Sequence, residues 1–267
     1  MSITKKTRLF ALVAALAMVL AACGSDSGSG STTTTGSSGD LELKKPGTLV
    51  VCTDVPYPPM EFVQDGDYTG FDIELMRAIA EDLGLTMEVA EPGWEAITGG
   101  LAFETDCDVA ASSITITDER KENVDFSDPY FEAEQSLLVK EGSGISDLAD
   151  MAGKKLAVQT GTTGHFYARD NGPEGIEIVE FQDADGPLLA MEAGQVDGFM
   201  TDLVVTQDFV NSHEGFEVVA TYPTDEVYGL AVKKDGAPNL LAALNASLKK
   251  LRDNGTYDRI YNEWFGN

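Results

Sequence analysis

The sequence has little positive charge and almost no histidine. Its 267 residues include 18 lysines and arginines against 45 aspartates and glutamates, for a formal net charge of -27. A chain this acidic offers no basic face for a polyanion, so nucleic-acid binding is not expected. The only two histidines, His165 and His213, stand far apart without a cysteine or glutamate at ligand spacing. We therefore predict no metal site, and no other cofactor is indicated.

Long hydrophobic runs are also scarce, and the clearest one lies near the N-terminus. Residues 9–20 are apolar, follow three basic residues, and are too few to span a bilayer comfortably. Small residues then lead directly to Cys23, an arrangement that resembles the bacterial lipoprotein signal. It predicts a signal peptide at residues 1–22 and a lipid on Cys23 that anchors the protein without spanning the membrane. An ordinary cleaved signal with an incidental cysteine is the alternative.

Residues 23–43 contain few residues that could build a core. Glycine, serine, threonine and aspartate dominate this segment, a composition typical of a flexible linker. The folded part is predicted to begin near Lys44.

Cysteine is otherwise limited to Cys52 and Cys107, each in or beside a predicted strand. An exported protein folds in an oxidising compartment, so the two can form a disulfide if their strands are neighbours. Two buried free thiols are the alternative. Neither cysteine has a histidine near it, so neither is expected to be catalytic.

The remaining chain alternates apolar runs of strand length with apolar stripes at helical spacing. One such stripe over residues 71–83 predicts a helix, with Asp72 as its N-cap. This rhythm is typical of α/β units with parallel sheets. An extended segment at residues 131–140 leads into a second such series, and residues 228–232 return to the first.

Residues 109–120 carry the most distinctive pattern. An apolar strand is followed by a row of serine and threonine residues, and Arg120 comes shortly after. Hydroxyls beside a guanidinium suit the capture of a carboxylate, although a polar loop with a surface arginine fits the residues equally well. Residues 161–164, Gly-Thr-Thr-Gly before a predicted helix, can present N–H groups to an anion. They lack the Gly-Lys-Ser/Thr ending of a phosphate-binding P-loop.

Seven segments together resemble bacterial extracellular solute-binding protein family 3, the polar amino-acid-binding lipoproteins of ABC transporters. In chain order they are residues 49–62, GFDIEL at 70–75, ITITDER at 114–120, VDFSDPY at 124–130, GTTG at 161–164, VDG at 196–198 and LRDNGTY at 251–257. Each segment alone is weakly specific, whereas the ordered set covers residues 44–267 without large gaps.

The resemblance implies the two-lobed type II periplasmic-binding-protein fold, an α/β architecture with two parallel-rich sheets joined by two hinge strands. The first lobe would comprise residues 44–130 plus 230–267, and the second residues 135–225. The hinge would lie near residues 130–134 and 226–229.

The same resemblance assigns roles to nine residues. Arg120, Thr115 and the amide of Thr163 would hold the α-carboxylate of an amino acid. Ser113 and Asp202 would hold its α-ammonium group. Tyr57 and Trp94 would enclose the side chain, and Asp54 with Gln159 would face its tip.

The function implied is the substrate-binding component of an ABC importer, not an enzyme. It would be a monomer that takes a free L-amino acid, with glutamine and arginine or lysine first, to the transmembrane permease subunits. Its lipid anchor would hold it at the outer face of the bacterial cytoplasmic membrane. The alternative is an enzyme on the same fold, a cyclohexadienyl or arogenate dehydratase, for which Glu61 and Glu95 are candidate general acids.

Overall fold

The computed structural model describes residues 41–266. The predicted signal peptide, the lipidation of Cys23 and residues 24–40 of the predicted linker lie outside the described residues. Within 41–266, every helix is too short or too polar to cross a bilayer.

The first part of the described chain contains six strands and three helices. They are β1 (Thr48–Cys52), β2 (Phe62–Gln64), β3 (Asp67–Thr69), α1 (Phe71–Asp82), β4 (Thr86–Ala90), α2 (Trp94–Thr98), α3 (Ala102–Thr105), β5 (Val109–Ala110) and β6 (Val124–Phe126). A single 3-10 turn, Arg120–Glu122, precedes β6.

The second part begins with a long strand and ends with another. Its elements are β7 (Phe131–Lys140), β8 (Lys155–Gln159), α4 (Thr163–Asn171), β9 (Glu177–Phe181), α5 (Gly186–Glu192), β10 (Gly198–Asp202), α6 (Leu203–Ser212) and β11 (Phe216–Tyr228). The chain then adds β12 (Ala231–Lys233), α7 (Pro238–Asp253) and α8 (Thr256–Phe265).

These strands form two five-stranded sheets. The first has the order β4-β1-β5-β12-β6, and the second the order β11-β7-β10-β8-β9. In each sheet four strands run in one direction, three of them as direct neighbours. The fifth strand, β12 in the first sheet and β7 in the second, runs antiparallel to its neighbours. We call each sheet with the helices packed on it a lobe. The α/β fold with parallel-rich sheets is therefore as predicted, and the lobe bounds at 44–130 plus 230–267 and at 135–225 are our interpretation of it.

The long strands β7 and β11 connect the two sheets. They pair antiparallel from Phe131 opposite Tyr228 to Lys140 opposite Phe216. Next to this junction, Thr115 forms an isolated bridge with Tyr228. The chain thus passes between the sheets twice, through adjacent segments at residues 126–131 and 228–231.

Helix α1 shows how the sequence pattern positions the first lobe. Phe71, Leu75, Met76 and Ile79 are fully buried, as the helical spacing predicted. The predicted N-cap role of Asp72 is wrong, because the residue that precedes the helix is Gly70. Gly70 has a φ of 116°, and a Cβ there would lie 2.3 Å from the carbonyl oxygen of Met60, so only glycine fits.

A disulfide joins Cys52 and Cys107. Strands β1 and β5 are parallel neighbours, with Cys52 opposite Ala110, which brings the two cysteines to a Cα–Cα distance of 5.6 Å. Both are fully buried in the first lobe, on the same side of the sheet as Trp94 and Ile97. The bridge therefore ties the end of β1 to the segment that leads into β5.

Candidate functional site

The carboxyl ends of the parallel strands of both sheets meet around one narrow cavity, of about 20 Å³. Ligands of open α/β sheets bind outside these strand ends. All nine residues predicted from the sequence line this cavity, namely Asp54, Tyr57, Trp94, Ser113, Thr115, Arg120, Gln159, Thr163 and Asp202. The structure thus brings the nine residues together around one cavity. The role of each residue in binding stays a prediction.

Arg120 lies deep in the cavity wall and is 6% exposed. Its Nη1 donates to the carbonyl of Thr115 at 2.9 Å, and its Nη2 donates to the carbonyl of Gly161 at 3.3 Å. Its guanidinium carbon lies 4.8 Å from the centre of the Trp94 ring, in cation–π contact. Burial lowers the pKa of Arg120 to about 10, so the guanidinium stays charged at neutral pH. A buried cation held by neutral groups is suited to receive an anion.

Asp202 is the counterpart of Arg120 on the second sheet. It is the last residue of β10 and accepts hydrogen bonds from the hydroxyls of Tyr57 at 2.9 Å and Tyr228 at 2.6 Å. The side-chain amide of Gln135 donates to its other oxygen. Burial, followed by the nearby charge of Glu226, raises the pKa of Asp202 to about 6. The carboxylate is therefore anionic at neutral pH and can face a cation.

Asp54 and Gln159 form a third polar group, contributed by both sheets. The side-chain amide of Gln159 donates to Asp54 at 2.8 Å and to the carbonyl of Gln182 at 3.5 Å. Burial raises the pKa of Asp54 above its usual value. Since both amide hydrogens of Gln159 are used in these bonds, the pair presents oxygen acceptors to the cavity.

Ser113 lies at a sharp turn after β5, with a φ of 51°. Its backbone N–H donates to Asp72 at 2.8 Å, and its hydroxyl donates to Glu61 at 3.3 Å. Asp72, whose other donor is the Tyr130 hydroxyl, thus shapes the loop that carries Ser113. Its burial raises the pKa of Asp72 to about 7.

Glu61 also lines the cavity. The sequence suggested it only as a candidate general acid of an enzyme. It is 1% exposed and accepts a hydrogen bond from Ser112 at 2.9 Å. Burial, reinforced by the charge of Asp72, raises the pKa of Glu61 well above its usual value. Glu95, the other candidate acid, is exposed on α2.

Several other lining residues were missed by the sequence reasoning. They include Ser112, Gln135, Thr162, Gly164, Ala184 and Thr201. Ser112 and Thr162 lie within the two polar segments at residues 109–120 and 161–164, so the predicted site residues beside them could have indicated them. Gln135 and Thr201 sit within strands, where the alternation of side chains gives a face but does not identify what the face meets.

Direct hydrogen bonds join the two lobes across the cavity. Tyr57 of the first lobe contacts Thr201 and Asp202 of the second, and Asp54 contacts Gln159. Arg120 reaches the loop at Gly161. The lobes are therefore in a closed arrangement around the site.

A family-wide sequence profile, that of the bacterial extracellular solute-binding proteins, family 3, matches residues 49–267. The chain belongs to this family. The match spans both lobes and every residue of the cavity described above.

Two relatives of this solute-binding protein match it over nearly its whole length. The ABC transporter glutamine-binding protein GlnH of Bacillus subtilis is 34% identical, covering 97% of this chain and 97% of the relative. The probable histidine-binding protein of Neisseria gonorrhoeae is 33% identical, covering 97% and 96%.

Solved structures agree with the fold. An ancestral arginine-binding protein bound to glutamine is 37% identical, with a TM-score of 0.78, covering 83% of this chain and 99% of that one. The arginine-, lysine-, histidine-binding protein ArtJ from Geobacillus stearothermophilus is 35% identical, with a TM-score of 0.75, covering 82% and 96%. The ancestral amino acid-binding protein AncCDT-1, a precursor of cyclohexadienyl dehydratase, is 37% identical, with a TM-score of 0.72, covering 82% and 95%.

Proposed function

We propose that this protein captures a free polar L-amino acid between its two lobes and delivers it to the permease of an ABC importer. The observation that carries the proposal is the placement of Arg120 and Asp202. One is a buried cation from the first lobe and the other a buried anion from the second, and both line one cavity. A zwitterion spanning the cleft would satisfy both charges, with its carboxylate on Arg120 and its ammonium on Asp202.

The side chain of the ligand would extend toward Asp54 and Gln159. Because this pair presents acceptors, a side chain that ends in donors, such as a guanidinium or ammonium group, complements it. Asp54 adds a negative charge at the same end. Arginine and lysine therefore precede glutamine among the expected ligands, in line with the arginine and lysine bound by ArtJ.

Calorimetric titration of the purified protein with each of the twenty amino acids tests this function. We expect the tightest binding with arginine or lysine. Arg120→Ala should weaken it by roughly 100-fold or more, because the α-carboxylate of the ligand would then be buried without a partner. Arg169→Ala is the matched control, since Arg169 is an exposed arginine of α4 paired with Asp170. Absence of heat with every amino acid would contradict the proposal, whereas a preference for glutamine would contradict only the assignment of the side chain.

Glu61 keeps the dehydratase alternative open to a direct test. A buried carboxylic acid with a raised pKa in the cavity is what a general acid requires. The expected result is that arogenate and prephenate are recovered unchanged after incubation with the protein. Their conversion would replace the binding function by an enzymatic one.

The remaining parts of the proposal concern location and partners. The protein would be exported and held by a lipid on Cys23 at the outer face of the cytoplasmic membrane. It would act as a monomer beside the transmembrane permease subunits. The family is described as extracellular, and the relative GlnH as part of an ABC transporter.

A further inference from the structure

Glu226 contacts the site from a direction that the family resemblance did not indicate. It lies near the end of β11, opposite Ala133 of β7, in the ladder that connects the two sheets. One of its carboxylate oxygens, Oε2, accepts the hydroxyls of both Thr115 and Thr163, each at 2.8 Å. The other oxygen, Oε1, accepts the hydroxyl of Thr224 at 2.8 Å and the side-chain amide of Gln135 at 3.2 Å.

The two threonines belong to different lobes. Thr115 follows β5 of the first sheet, whereas Thr163 is the first residue of α4 beyond β8 of the second. A single oxygen can accept both hydroxyls only while the lobes are together. If the lobes rotate apart about the connecting strands, at least one of these two hydrogen bonds has to break.

The bond to Glu226 also determines what each threonine can offer a ligand. A hydroxyl has one hydrogen, so a threonine that donates to Glu226 cannot donate to a second carboxylate at the same time. A bound α-carboxylate would then be held by the guanidinium of Arg120 and by backbone N–H groups, such as that of Thr163. Glu226 therefore fixes the threonine side chains that surround the predicted carboxylate position.

Glu226 is in contact with solvent as well as with the site. Its side chain is partly buried and also lines a groove on the hinge side of the molecule, together with Glu132 and Asp225. Water can reach the carboxylate from this groove, while Arg120 and Asp202 feel its charge from the cavity side. The carboxylate thus forms part of the wall between the cavity and the hinge.

We propose that Glu226 is a positioning residue of the amino-acid site, a bridge that joins Thr115 and Thr163 in the closed form and slows release of the ligand. This inference rests on the proposed function for the ligand it retains. A bridge that forms on closure stabilises the closed complex and not the encounter with the open form. Its loss should appear in the dissociation rate and leave the association rate nearly unchanged.

Stopped-flow measurement of arginine or lysine release tests the bridge. Glu226→Ala should raise the dissociation rate constant roughly tenfold or more, as expected for the loss of hydrogen bonds to a charged group. Glu226→Gln keeps an acceptor oxygen and should restore most of the wild-type rate. Glu217→Ala removes the same charge from an exposed position of the same strand, so its release rate should match the wild type.

A double-mutant cycle with Thr163→Val separates the bridge from a general structural role. In the Thr163→Val background, Glu226→Ala should have a clearly smaller effect on dissociation than in the wild type. Additive effects would overturn the proposal. So would a lowered melting temperature of Glu226→Ala with an unchanged dissociation rate.

The same variants distinguish this inference from the proposed function. A wild-type protein that binds amino acids while Glu226→Ala releases them at the wild-type rate contradicts the bridge alone. A wild-type protein that binds none of them contradicts the proposed function. In that case the bridge is tested in the ligand-free protein by solution scattering. Glu226→Ala should then have a larger radius of gyration than Glu217→Ala, because its lobes would separate more often. Equal radii of gyration would overturn the proposed bridge.

Discussion

At the scale of single residues, the site depends on charges that are kept away from water. Arg120 and Asp202 are each 6% exposed, and neutral hydrogen-bonding groups hold both in place. Burying a charge without a counter-ion is costly, and a ligand of opposite charge recovers part of that cost. The two charges therefore favour zwitterions over ligands with one charged end.

This burial makes amino-acid binding depend on pH. The pKa of Asp202 is about 6 without ligand, and the ammonium group of a ligand needs the ionised form. Affinity should be nearly constant between pH 7 and 8.5, and should fall roughly tenfold for each pH unit below about 6. Burial also raises the pKa values of Asp54 and Glu61, which line the same cavity.

Titration calorimetry in buffers from pH 5 to pH 8.5 measures this dependence. Asp202→Asn should bind the amino acid weakly at every pH, and its affinity should fall less steeply with decreasing pH than that of the wild type. A wild-type affinity that stays the same from pH 5 to pH 8 would contradict the assignment of Asp202 to the ammonium group.

At the scale of secondary-structure elements, the sequence predicted what local patterns determine. The apolar stripe of α1 is a local feature, so the helix could be predicted from the sequence. The hydroxyl residues before Arg120 fit a polar loop equally well, and only the resemblance to a family pointed to a site there. Asp72 was assigned to a cap because acidic residues favour helix starts, but its carboxylate is directed to the N–H of Ser113 and the hydroxyl of Tyr130. Those partners are distant in the chain, and no local pattern indicates them.

Glu226 shows the same limitation on a strand. The alternation of side chains along β11 predicts which face of the sheet Glu226 occupies. The threonines that it contacts come from two other segments of the chain. The register shift between Tyr222 and Glu226 further breaks the regular alternation. Its place in the site follows only once both sheets are assembled.

The Cys52–Cys107 disulfide links two elements of the first lobe, and its removal should destabilise the protein. The bridge spans a sequence separation of 55 residues. A loop of this length predicts a loss of about 4 kcal/mol in the free energy of unfolding for the Cys52→Ala/Cys107→Ala variant. Denaturant unfolding monitored by circular dichroism measures it, with reductant added to the wild type as a second route to the same loss. A variant as stable as the oxidised wild type would contradict the structural role.

At the scale of the whole molecule, a ligand in the cleft contacts both lobes and should stabilise them together. At a ligand concentration 100 times the dissociation constant, the gain is about 2.7 kcal/mol. For a protein of this size, that corresponds to a rise of roughly 5–10 °C in melting temperature. Differential scanning calorimetry with arginine or lysine measures the shift, with Arg120→Ala as the variant that should not respond. A shift confined to one part of the transition would indicate that the ligand contacts a single lobe.

The order of strands in the first sheet also has a consequence for biosynthesis. Strand β12 lies between β5 and β6, although it follows both of them and all of the second sheet in the chain. Until residues 231–233 have been made, β6 has no partner through which to join its sheet. Because the chain is made from the N-terminus onward, the second sheet can assemble before the first sheet is complete. The last strand to be synthesised completes the lobe that was begun first.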